Sequence, residues 1–398
     1  MPDASRLTTN DYFCSFFEAM LNRRSLRVKV MQSLFAFQQC RDANYQLALD
    51  TIEESFAPDL NSMEVQDKKA LAKQKGQAIK VFEKAFRDEV KSVEHDDARI
   101  QQAVNEAITL NNKSVKKDFD FLLKALVLDA EKIYGRYISV LSLAVALADA
   151  AEADIKINHS NFLKNAWIQA LKKSDELKKQ ALKQGTPWEK KFDQVRQWFK
   201  DVVKQDAEYM HFLDKKSPTF DEQKKFMNHV FRKVILGKTA INDFFDEEVL
   251  HWTEDRDIVK GMVEKTVKSF NPQENNDIQL HVLSLNWEED RDFIEKLFRV
   301  GSNLDPQYKE LISRNTRNWE VDRLPLTDRV ILEMAIAELI TFHNIPVKVS
   351  MNEYIELAKN YSTPKSRQFI NGILDVISKE MKASGSVKKS GRGLIDNK

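Results

Sequence analysis

Few side chains in this sequence have the types and spacing that catalysis or metal binding requires. Helical zinc hydrolases use two histidines four residues apart, and structural metal sites use closely spaced Cys and His pairs. His251, beside Trp252, and His343, near a predicted helix end, are interpreted as packing or capping residues. Neither metal-binding pattern occurs among the histidines, which stand singly at positions 95, 159, 211, 229, 251, 281 and 343. The sequence therefore predicts no metal site.

Motifs for nucleophilic catalysis and for phosphate binding are also missing. The sequence has no Gly-rich phosphate loop and no Gly-x-Ser-x-Gly motif. The acidic clusters at 246–248 and 288–290 are contiguous, so their carboxylates diverge around a helix and are interpreted as solvated surface. We predict that the protein is not an enzyme, uses no cofactor and takes no small-molecule substrate.

The best candidate for binding chemistry is a basic segment near the N-terminus. Cations at the start of a helix oppose the helix dipole, which favours anions there. Their presence suggests a ligand such as an RNA backbone, with Phe35 as a flat side chain for base stacking. Taken alone, a basic cluster of this size is more often an ordinary solvated surface than a nucleic-acid site. With no acid between positions 18 and 42, its basic residues are Arg23, Arg24, Arg27, Lys29 and Arg41.

Composition indicates an all-α protein. A chain of 398 residues suits one large or two medium domains. Only 10 Gly and 9 Pro occur, whereas the helix formers Lys, Glu, Leu, Ala and Gln are abundant. The formal net charge is +1, so a nucleic-acid site would have to be a local patch and not a global field.

The sequence predicts a cytoplasmic protein with no membrane span. Its two cysteines, Cys14 and Cys40, form neither a CxxC pair nor a secretory framework. The polar N-terminus does not resemble a signal peptide. The apolar run at 137–151 contains Asp149 and is shorter than the ~20 residues that a membrane helix needs, so we predict a buried core helix there.

Helical periodicity extends through the first half of the chain. Residues 1–20 are interpreted as an extension, and 21–56 as two helices separated near position 42. The first helix has an inward stripe of Leu26, Val30, Leu34 and Phe37. Residues 57–219 are interpreted as a helical insertion, with breaks at Asn111–Asn112 and after Gly185 and with helices at 61–90, 97–111, 118–153, 162–184 and 188–212.

An internal repeat follows, with a constant offset of 67 residues. Each copy reads as a helix with two Phe residues five apart, a loop, and a Trp that opens the next helix before an Asp-Arg pair. We interpret 220–287 as the first copy. The matching positions are Glu222, Phe226, Phe231, Arg232, Trp252, Asp255 and Arg256 against Glu289, Phe293, Phe298, Arg299, Trp319, Asp322 and Arg323.

The block at 288–381 has the clearest helix boundaries. Thr327 is predicted to cap a helix that runs to Phe342, with Ile331, Met334, Ala335 and Leu339 inward. Ser350 to Glu353 fits a capping box, and Thr363 with Pro364 opens the last helix. The Gly-, Ser- and Lys-rich residues 382–398 are predicted to form a flexible tail.

Two stretches of the chain resemble the transcription antitermination factor NusB family. At the N-terminal end the resemblance lies in the arginine-rich helix of 21–56, with its Gln-Ser-Leu-Phe run at 32–35. At the C-terminal end it lies in Trp319 and Arg323, Arg329–Leu332, Ala335–Leu339, Ile345–Val349, Asn352–Glu353, Glu356–Lys359 and the specific run Phe369–Asp375. The insertion at 57–219 is not covered.

The resemblance implies an all-helical fold of two packed subdomains and a non-catalytic function. Members bind a single-stranded boxA-type element of ribosomal RNA leaders together with the ribosomal protein NusE. As part of the RNA polymerase antitermination complex, they support transcription and maturation of ribosomal RNA.

The resemblance also implies site residues. Candidate partner-facing residues are Asp322 and Asp328, since acids suit a basic ribosomal protein. Trp319, Asn371 and Gly372 are interpreted as packing residues, and Arg323 and Asp375 as a structural pair. The predicted RNA-facing residues are Arg23, Arg24, Arg27, Lys29, Phe35, Tyr361, Lys365 and Phe369.

Two alternatives remain open at this point. Ser25 and Leu26 dilute the arginine run, so a non-catalytic protein-binding scaffold in transcription or ribosome assembly is a second hypothesis. NusB-like domains also occur fused to RNA cytosine methyltransferases. A remnant of such a fusion is a third hypothesis, but the Gly-rich cofactor loop that it would require is missing.

Overall fold

The computed structural model describes residues 21–59, 66–186, 188–272, 277–316 and 324–397. In these ranges every regular element is helical and there is no strand, which confirms the predicted all-α class. Short 3-10 helices lie at Glu189–Lys191 and Gly391–Asn397, and π-helical turns at Phe199–Val203 and Val230–Ile235. The α-helices are α1 (Arg23–Ser55), α2 (Lys68–Arg87), α3 (Ala98–Glu152), α4 (Ser160–Leu163), α5 (Ala166–Lys173), α6 (Asp175–Gln184), α7 (Phe192–Trp198), α8 (Ala207–Leu213), α9 (Phe220–His229), α10 (Thr239–Glu248), α11 (Trp252–Ser269), α12 (Trp287–Ser302), α13 (Pro306–Thr316), α14 (Leu326–Thr341), α15 (Val347–Tyr361) and α16 (Pro364–Ala383).

Helix α1 is one helix of 33 residues, so the predicted separation near position 42 is wrong. Asn44 is buried and donates from its side-chain amide to the Asp118 carboxylate at 2.7 Å. This contact with α3 gives a polar residue a partner inside the fold, and the helix continues past it. The predicted inward stripe of α1 is confirmed, with the side chains of Leu26, Val30, Leu34 and Phe37 all buried.

Helix α3 is also longer than predicted, at 55 residues, and the predicted break at Asn111–Asn112 is wrong. Asparagine in a helix interior costs at most about 0.7 kcal/mol relative to alanine. Ala107 and Ile108, one turn earlier, are buried and contribute to the hydrophobic core. Packing therefore outweighs the local preference of the two asparagines.

The single helix predicted at 162–184 is wrong, because the structure has three shorter helices there, α4, α5 and α6. The side chain of Asn165 accepts a hydrogen bond from the Trp167 amide and starts α5. Ser174 accepts from the Leu177 amide and starts α6. Gly185 then ends α6 at φ 67°, as predicted, because glycine adopts this left-handed conformation without a Cβ clash.

The chain forms two compact units. The first unit comprises Met1–Leu26 and Leu128–Asp290, and the second comprises Arg27–Val127 and Arg291–Lys398. In the first unit, the C-terminal half of α3 is buried among shorter helices, and the rings of Phe212 and Phe226 stack with centroids 3.8 Å apart. Arg136 of α3 forms a buried ion pair with Asp255 of α11.

Among the described residues, α3 is the one helix long and apolar enough to cross a membrane. Of its apolar 18-residue window, 72% is buried within the protein. Burial of this kind is typical of a core helix. The residues of the apolar run at 137–151 pack inside the first unit, with Tyr137 and Leu147 fully buried.

The second unit is built around α14, in which Val330 to Leu339 are all buried. α15 and α16 pack on it, together with α1, α12 and α13. Phe37 of α1, Phe119 of α3 and Phe298 of α12 form an aromatic cluster with ring centroids 5.3–6.1 Å apart. α2 and the first half of α3 pack against the second half of α1 through a separate cluster that includes Ile52 and Phe82.

The predicted repeat has a counterpart in the helix starts. Phe220 and Trp287 begin α9 and α12, and Thr239 and Pro306 begin α10 and α13, both 67 residues apart. Each predicted loop therefore contains a short helix. Trp252 begins α11, whereas its counterpart Trp319 lies outside the described residues.

The residues after α16 lie against the end of α14. Lys389 donates to the Phe342 carbonyl at 2.9 Å, and the Ser390 amide donates to the His343 carbonyl at 2.9 Å. Gly393 is buried so close to the His343 carbonyl that a Cβ there would collide with it. Part of the segment predicted as a flexible tail is therefore placed by specific contacts.

Candidate nucleic-acid interface

Arg27, a predicted RNA-facing residue, lies in the interior of the second unit. Its Nε and Nη2 atoms donate to the two carboxylate oxygens of Glu338, each at 2.7 Å. The side chains of Arg27 and Glu338 are 3% and 0% exposed. The Arg27 guanidinium also lies 5.5 Å from the Phe293 ring centroid and 6.0 Å from that of Tyr354. Its donors are therefore turned towards the core of the unit.

The Glu338 carboxylate collects further partners from α15. Ser350 Oγ donates to it at 2.6 Å and the Tyr354 hydroxyl at 2.8 Å. Burial alone would lower the pKa of Arg27, but the hydrogen bonds and charge of Glu338 outweigh it and raise that pKa above its ordinary value. The Arg27 guanidinium thus stays charged in a site that is closed to water.

This network corrects the predicted start of α15. The helix begins at Val347 after Pro346, three residues before the predicted capping box. Ser350 is fully buried and uses its hydroxyl on Glu338. The Thr327 cap is also wrong, because α14 begins at Leu326 after Pro325. The Thr363 cap is confirmed, since its side chain accepts from the Ser366 amide and Pro364 follows.

Arg23 and Arg24, in the first unit, differ from Arg27 in exposure. Arg24 is exposed. The Arg23 guanidinium lies 2.6 Å from a Glu289 carboxylate oxygen and 3.4 Å from an Asp290 oxygen, at the start of α12. Part of the acidic cluster interpreted as solvated surface therefore balances the positive start of α1.

The remaining candidates on α1, Lys29 and Phe35, also differ in exposure. Lys29 is 3% exposed, so its ammonium group is not presented at the surface. Phe35 is 37% exposed. Because eleven residues make just over three full helical turns, Phe35 and Arg24 lie on the same face of α1. Arg24 is the member of the predicted basic cluster that lies exposed on this face.

Tyr361, Lys365 and Phe369 lie on two helices that pack together, α15 and α16. Lys365 is exposed, and Tyr361 and Phe369 are half-buried. Lys365 and Phe369 are four residues apart, which places them on one face of α16. The structure therefore places a basic and an aromatic side chain next to each other on this surface, with Tyr361 at the end of the adjoining helix.

The two partner-facing candidates have different outcomes. Asp322 lies outside the described residues. Asp328 is 2% exposed, and its carboxylate accepts a hydrogen bond from the Ser362 hydroxyl. Asp328 thus links the first turn of α14 to the residue after α15, and its charge is not presented at the surface.

Several residues that were predicted to have structural roles lie in a different environment from the one expected. Asn371 and Gly372 are exposed, and a Cβ at Gly372 would have no neighbour within 4 Å, so the interpretation as close helix packing is wrong. Asp375 pairs with Lys379 at 2.7 Å. Trp319 and Arg323 lie outside the described residues.

The residues predicted from the sequence do not include the other members of the buried Arg27 network, which are Glu338, Ser350 and Tyr354. A signal was present, because Glu338 stands inside an otherwise apolar helix segment, where a buried carboxylate requires a cationic partner. Its partner is 311 positions away in sequence, so the pairing itself could not be derived from local pattern. No cluster of metal-binding side chains occurs in the part of the chain that the structure describes.

Comparison with known proteins identifies the C-terminal region. Residues 260–379 match the NusB family. The chain is 45% identical over 105 residues to transcription antitermination protein NusB of Salinibacter ruber, which covers 26% of this chain and 66% of the relative. It is 42% identical over 106 residues to the protein of that name from Chloroherpeton thalassium, with 27% and 50% covered.

A third relative, transcription antitermination protein NusB of Natranaerobius thermophilus, is 45% identical over 83 residues, or 21% of this chain and 59% of the relative. The chain thus matches between half and about two thirds of the length of these relatives. No solved structure matches the chain significantly. The family match covers the second half of α11, all of α12 to α15 and most of α16, and it excludes α1.

Proposed function

Because residues 260–379 of this chain are a NusB-family domain, we propose that the chain is a transcription antitermination factor that binds RNA. Its RNA ligand is an unpaired boxA-type element, and its protein partner is the ribosomal protein NusE. In this function it acts in the cytoplasm, within the RNA polymerase antitermination complex, and supports transcription and maturation of ribosomal RNA. Its role is binding and not catalysis.

The observation that carries this proposal is the surface formed by Tyr361, Lys365 and Phe369. It lies within the matched domain and joins an exposed ammonium group to two half-buried aromatic rings. Unpaired RNA is bound by this combination, because cations neutralise phosphates and aromatic faces stack on bases. We call it the α15–α16 surface.

Helix α1 contributes a second set of contacts to the proposal. Arg24 and Phe35 are exposed on one face of this helix and offer the same chemistry. Arg23 is half-exposed and shares its charge with Glu289. For Arg27, whose guanidinium is bound to Glu338, we propose a positioning role that holds α1 in place.

An electrophoretic shift assay with boxA-type RNA at two salt concentrations tests the α15–α16 surface. Removing a phosphate contact with Lys365→Ala should weaken binding and reduce the salt slope by about 0.7 for a single strand. Phe369→Ala should cost about 1–3 kcal/mol of binding free energy if one base stacks on the ring. Lys382→Ala, in the last turn of the same helix, is the matched control and should bind as wild type does.

Wild-type affinity and salt slope in both variants would contradict the proposed RNA surface. The protein-scaffold hypothesis then gains weight, and one observation already favours it. Of the basic side chains on α1, Arg27 and Lys29 are buried and Arg23 is ion-paired. A chain that binds NusE but no RNA in the same assay would be a scaffold.

A further inference from the structure

Two adjoining cavities lie in the second unit, where α2 and α3 meet the helices of the family domain. The first, of about 660 Å³, is open to solvent and is lined by residues of α1, α2, α13 and α14. The second, of about 750 Å³, is also open to solvent and lies mainly between α1, α2 and α3. Arg41, Phe86 and Arg87 line both cavities and form their common wall. Volumes of this size are typical of small-ligand pockets.

The first cavity is rich in cations. Arg41, Arg87, Lys309 and Arg329 line it, together with the carboxylates of Asp42, Glu83 and Glu333. None of the four cations forms an ion pair within 4 Å among the residues that the structure describes. By contrast, the surface lysine Lys191 lies 2.6 Å from a Glu248 carboxylate oxygen, so its charge is already balanced. The wall that the two cavities share presents Arg41 and Arg87 and no acid, which favours a ligand that brings its own negative charge to that wall.

Each cavity also contains a buried polar side chain that accepts no hydrogen bond in the described structure, although the Glu333 carboxylate is attracted by Arg329, Lys309 and Arg41. Glu333 lines the first cavity and is 8% exposed. Asn111 lines the second, is 5% exposed, and its Oδ1 atom accepts no hydrogen bond. Buried polar groups normally have partners, because an unsatisfied one costs about 1–3 kcal/mol. The Asn111 amide oxygen therefore lacks a partner that a bound molecule could supply, whereas Glu333 already has cations around it and can still accept a hydrogen bond.

Aromatic rings complete the lining. Tyr45 and Phe86 lie in the first cavity, with ring centroids 4.7 Å apart, and Phe82 and Phe86 lie in the second. Phe86 is 39% exposed, although it lies beside the cluster that buries Phe82. A partly exposed ring next to guanidinium groups is suited to stacking with a planar base.

We propose that these cavities form a nucleotide-binding site. The phosphate lies against Arg41, Arg87 and the neighbouring cations, and the base stacks on Phe86 or Tyr45. Glu333 accepts hydrogen bonds from the adjacent N1–H and amino group of guanine, a pair of donors that the other bases lack, and it disfavours uracil, which has no amino group. The nucleotide is either free or one unit of an RNA strand. This site is separate from the α15–α16 surface, and its existence does not depend on boxA binding.

The site also provides a physical reason for Asn111. An asparagine pair in the middle of a 55-residue helix lowers helix stability, and the buried amide of Asn111 forms no compensating hydrogen bond through Oδ1. A ligand in the second cavity supplies that bond. The helical insertion then has a function, because α2 and α3 contribute Arg87 and Asn111 to the site.

Calorimetric titration of the full-length chain tests the proposal with four probes, namely GMP, UMP, inorganic phosphate and an unpaired guanine-containing tetranucleotide. We expect GMP or the tetranucleotide to bind at least tenfold more tightly than phosphate, and GMP more tightly than UMP. Binding by the tetranucleotide alone identifies an RNA strand as the source of the nucleotide. Binding by GMP identifies the free nucleotide as sufficient.

Three variants locate the binding. Arg41→Ala with Arg87→Ala should weaken it at least tenfold, and Glu333→Gln should reduce the preference for GMP over UMP. Lys80→Ala, an exposed change on the same helix α2, should have no effect. Circular dichroism confirms that each variant is folded.

No binding by any probe, an affinity for phosphate equal to that of the tighter of GMP and the tetranucleotide, or unchanged affinity in the double variant would overturn the proposal. Lys365→Ala should leave GMP binding intact. A failure of the α15–α16 surface is therefore distinguishable from a failure of this site.

Discussion

The Arg27 guanidinium and the Glu338 carboxylate form a bidentate ion pair in the core of the second unit, with both N–O distances at 2.7 Å. The pair joins α1 to α14, the helix around which that unit is built. Ser350 and Tyr354 complete the hydrogen bonding of the carboxylate. Arg27, which the family resemblance assigns to an RNA-binding run of arginines, is therefore bound to a structural partner inside the fold.

Breaking this pair should destabilise the protein strongly. Removing one member of a buried pair leaves an uncompensated charge, which typically costs about 3–5 kcal/mol. We expect Arg27→Met and Glu338→Leu each to lower the free energy of unfolding by this amount in urea denaturation followed by circular dichroism. Arg23→Ala removes a partly exposed pair and should cost less than about 1 kcal/mol.

The double variant Arg27→Met with Glu338→Leu separates charge from packing. It removes both charges, so its cost should be smaller than the sum of the two single changes. A cost equal to that sum would mean that the two residues stabilise the fold independently. Loss of RNA binding in Arg27→Met beyond the unfolded fraction would instead return Arg27 to the RNA-facing set.

The inward face of α1 was predictable, and the fate of its arginines was not. Apolar periodicity gave Leu26, Val30, Leu34 and Phe37, because burial of an amphipathic helix follows its 3.6-residue repeat. Arg27 lies three residues before Val30 and seven before Leu34, on the same face, but a charged side chain there predicts burial only if a partner is known. Its burial depends on Glu338, a long-range partner that only the folded chain supplies.

Two helical glycines should respond in opposite directions to alanine substitution. A Cβ at Gly301 would lie 2.8 Å from Leu34 Cδ1 in the core, whereas one at Gly372 would have no neighbour within 4 Å. Gly372→Ala should raise stability by about 0.5–1 kcal/mol through the helix preference for alanine. Gly301→Ala should lose this gain to an overpacking cost of about 1–3 kcal/mol.

Thermal denaturation of both variants checks this pair. Adding Leu34→Val to Gly301→Ala should recover part of the loss by making room for the new methyl group. A stabilising Gly301→Ala would show that Leu34 can move without cost. A destabilising Gly372→Ala would show that the exposed glycine has a role other than helix packing.

The start of α9 should make stability depend on pH through Glu222. Hydrogen bonds from Lys215 and from the amide and hydroxyl of Thr219 lower the pKa of Glu222 from 4.5 to about 2. The folded state thus favours the carboxylate, and this stabilisation is complete above pH 4.5 and is lost as the pH falls towards 2. Glu222→Gln keeps the capping geometry but removes the charge.

Thermal midpoints of wild type and Glu222→Gln, measured from pH 7 to pH 2, test this dependence. We expect the variant to melt at a lower temperature at pH 7, with the difference shrinking between pH 4.5 and 2. A difference that is constant over this interval would assign the effect to the side-chain amide and not to the lost charge.

The candidate surfaces show where sequence reasoning stops. Lys365 and Phe369 share a face of α16, and their spacing of four residues was enough to predict it. The separation of Arg24 from Arg27 and Lys29 in exposure could not be predicted from a run of basic residues. It depends on which helices pack against α1, and so does the basic cavity that Arg41 and Arg87 share with Arg329.

Asp328 and Ser362 should be energetically coupled, and this decides how a partner-binding defect at Asp328 is interpreted. The buried carboxylate accepts from the Ser362 hydroxyl and lies in the first turn of α14, where the helix dipole favours an anion. Since hydrogen bonds to charged groups contribute about 1.5–3 kcal/mol, Asp328→Ala and Ser362→Ala should each lower stability. The double variant should cost less than their sum, by about 0.5–3 kcal/mol.

If Asp328 affects NusE only through the fold, Ser362→Ala should weaken a NusE pull-down in proportion to its stability loss. A stable Ser362→Ala that binds NusE normally, beside an equally stable Asp328→Asn that does not, would show that the carboxylate itself is needed for the partner.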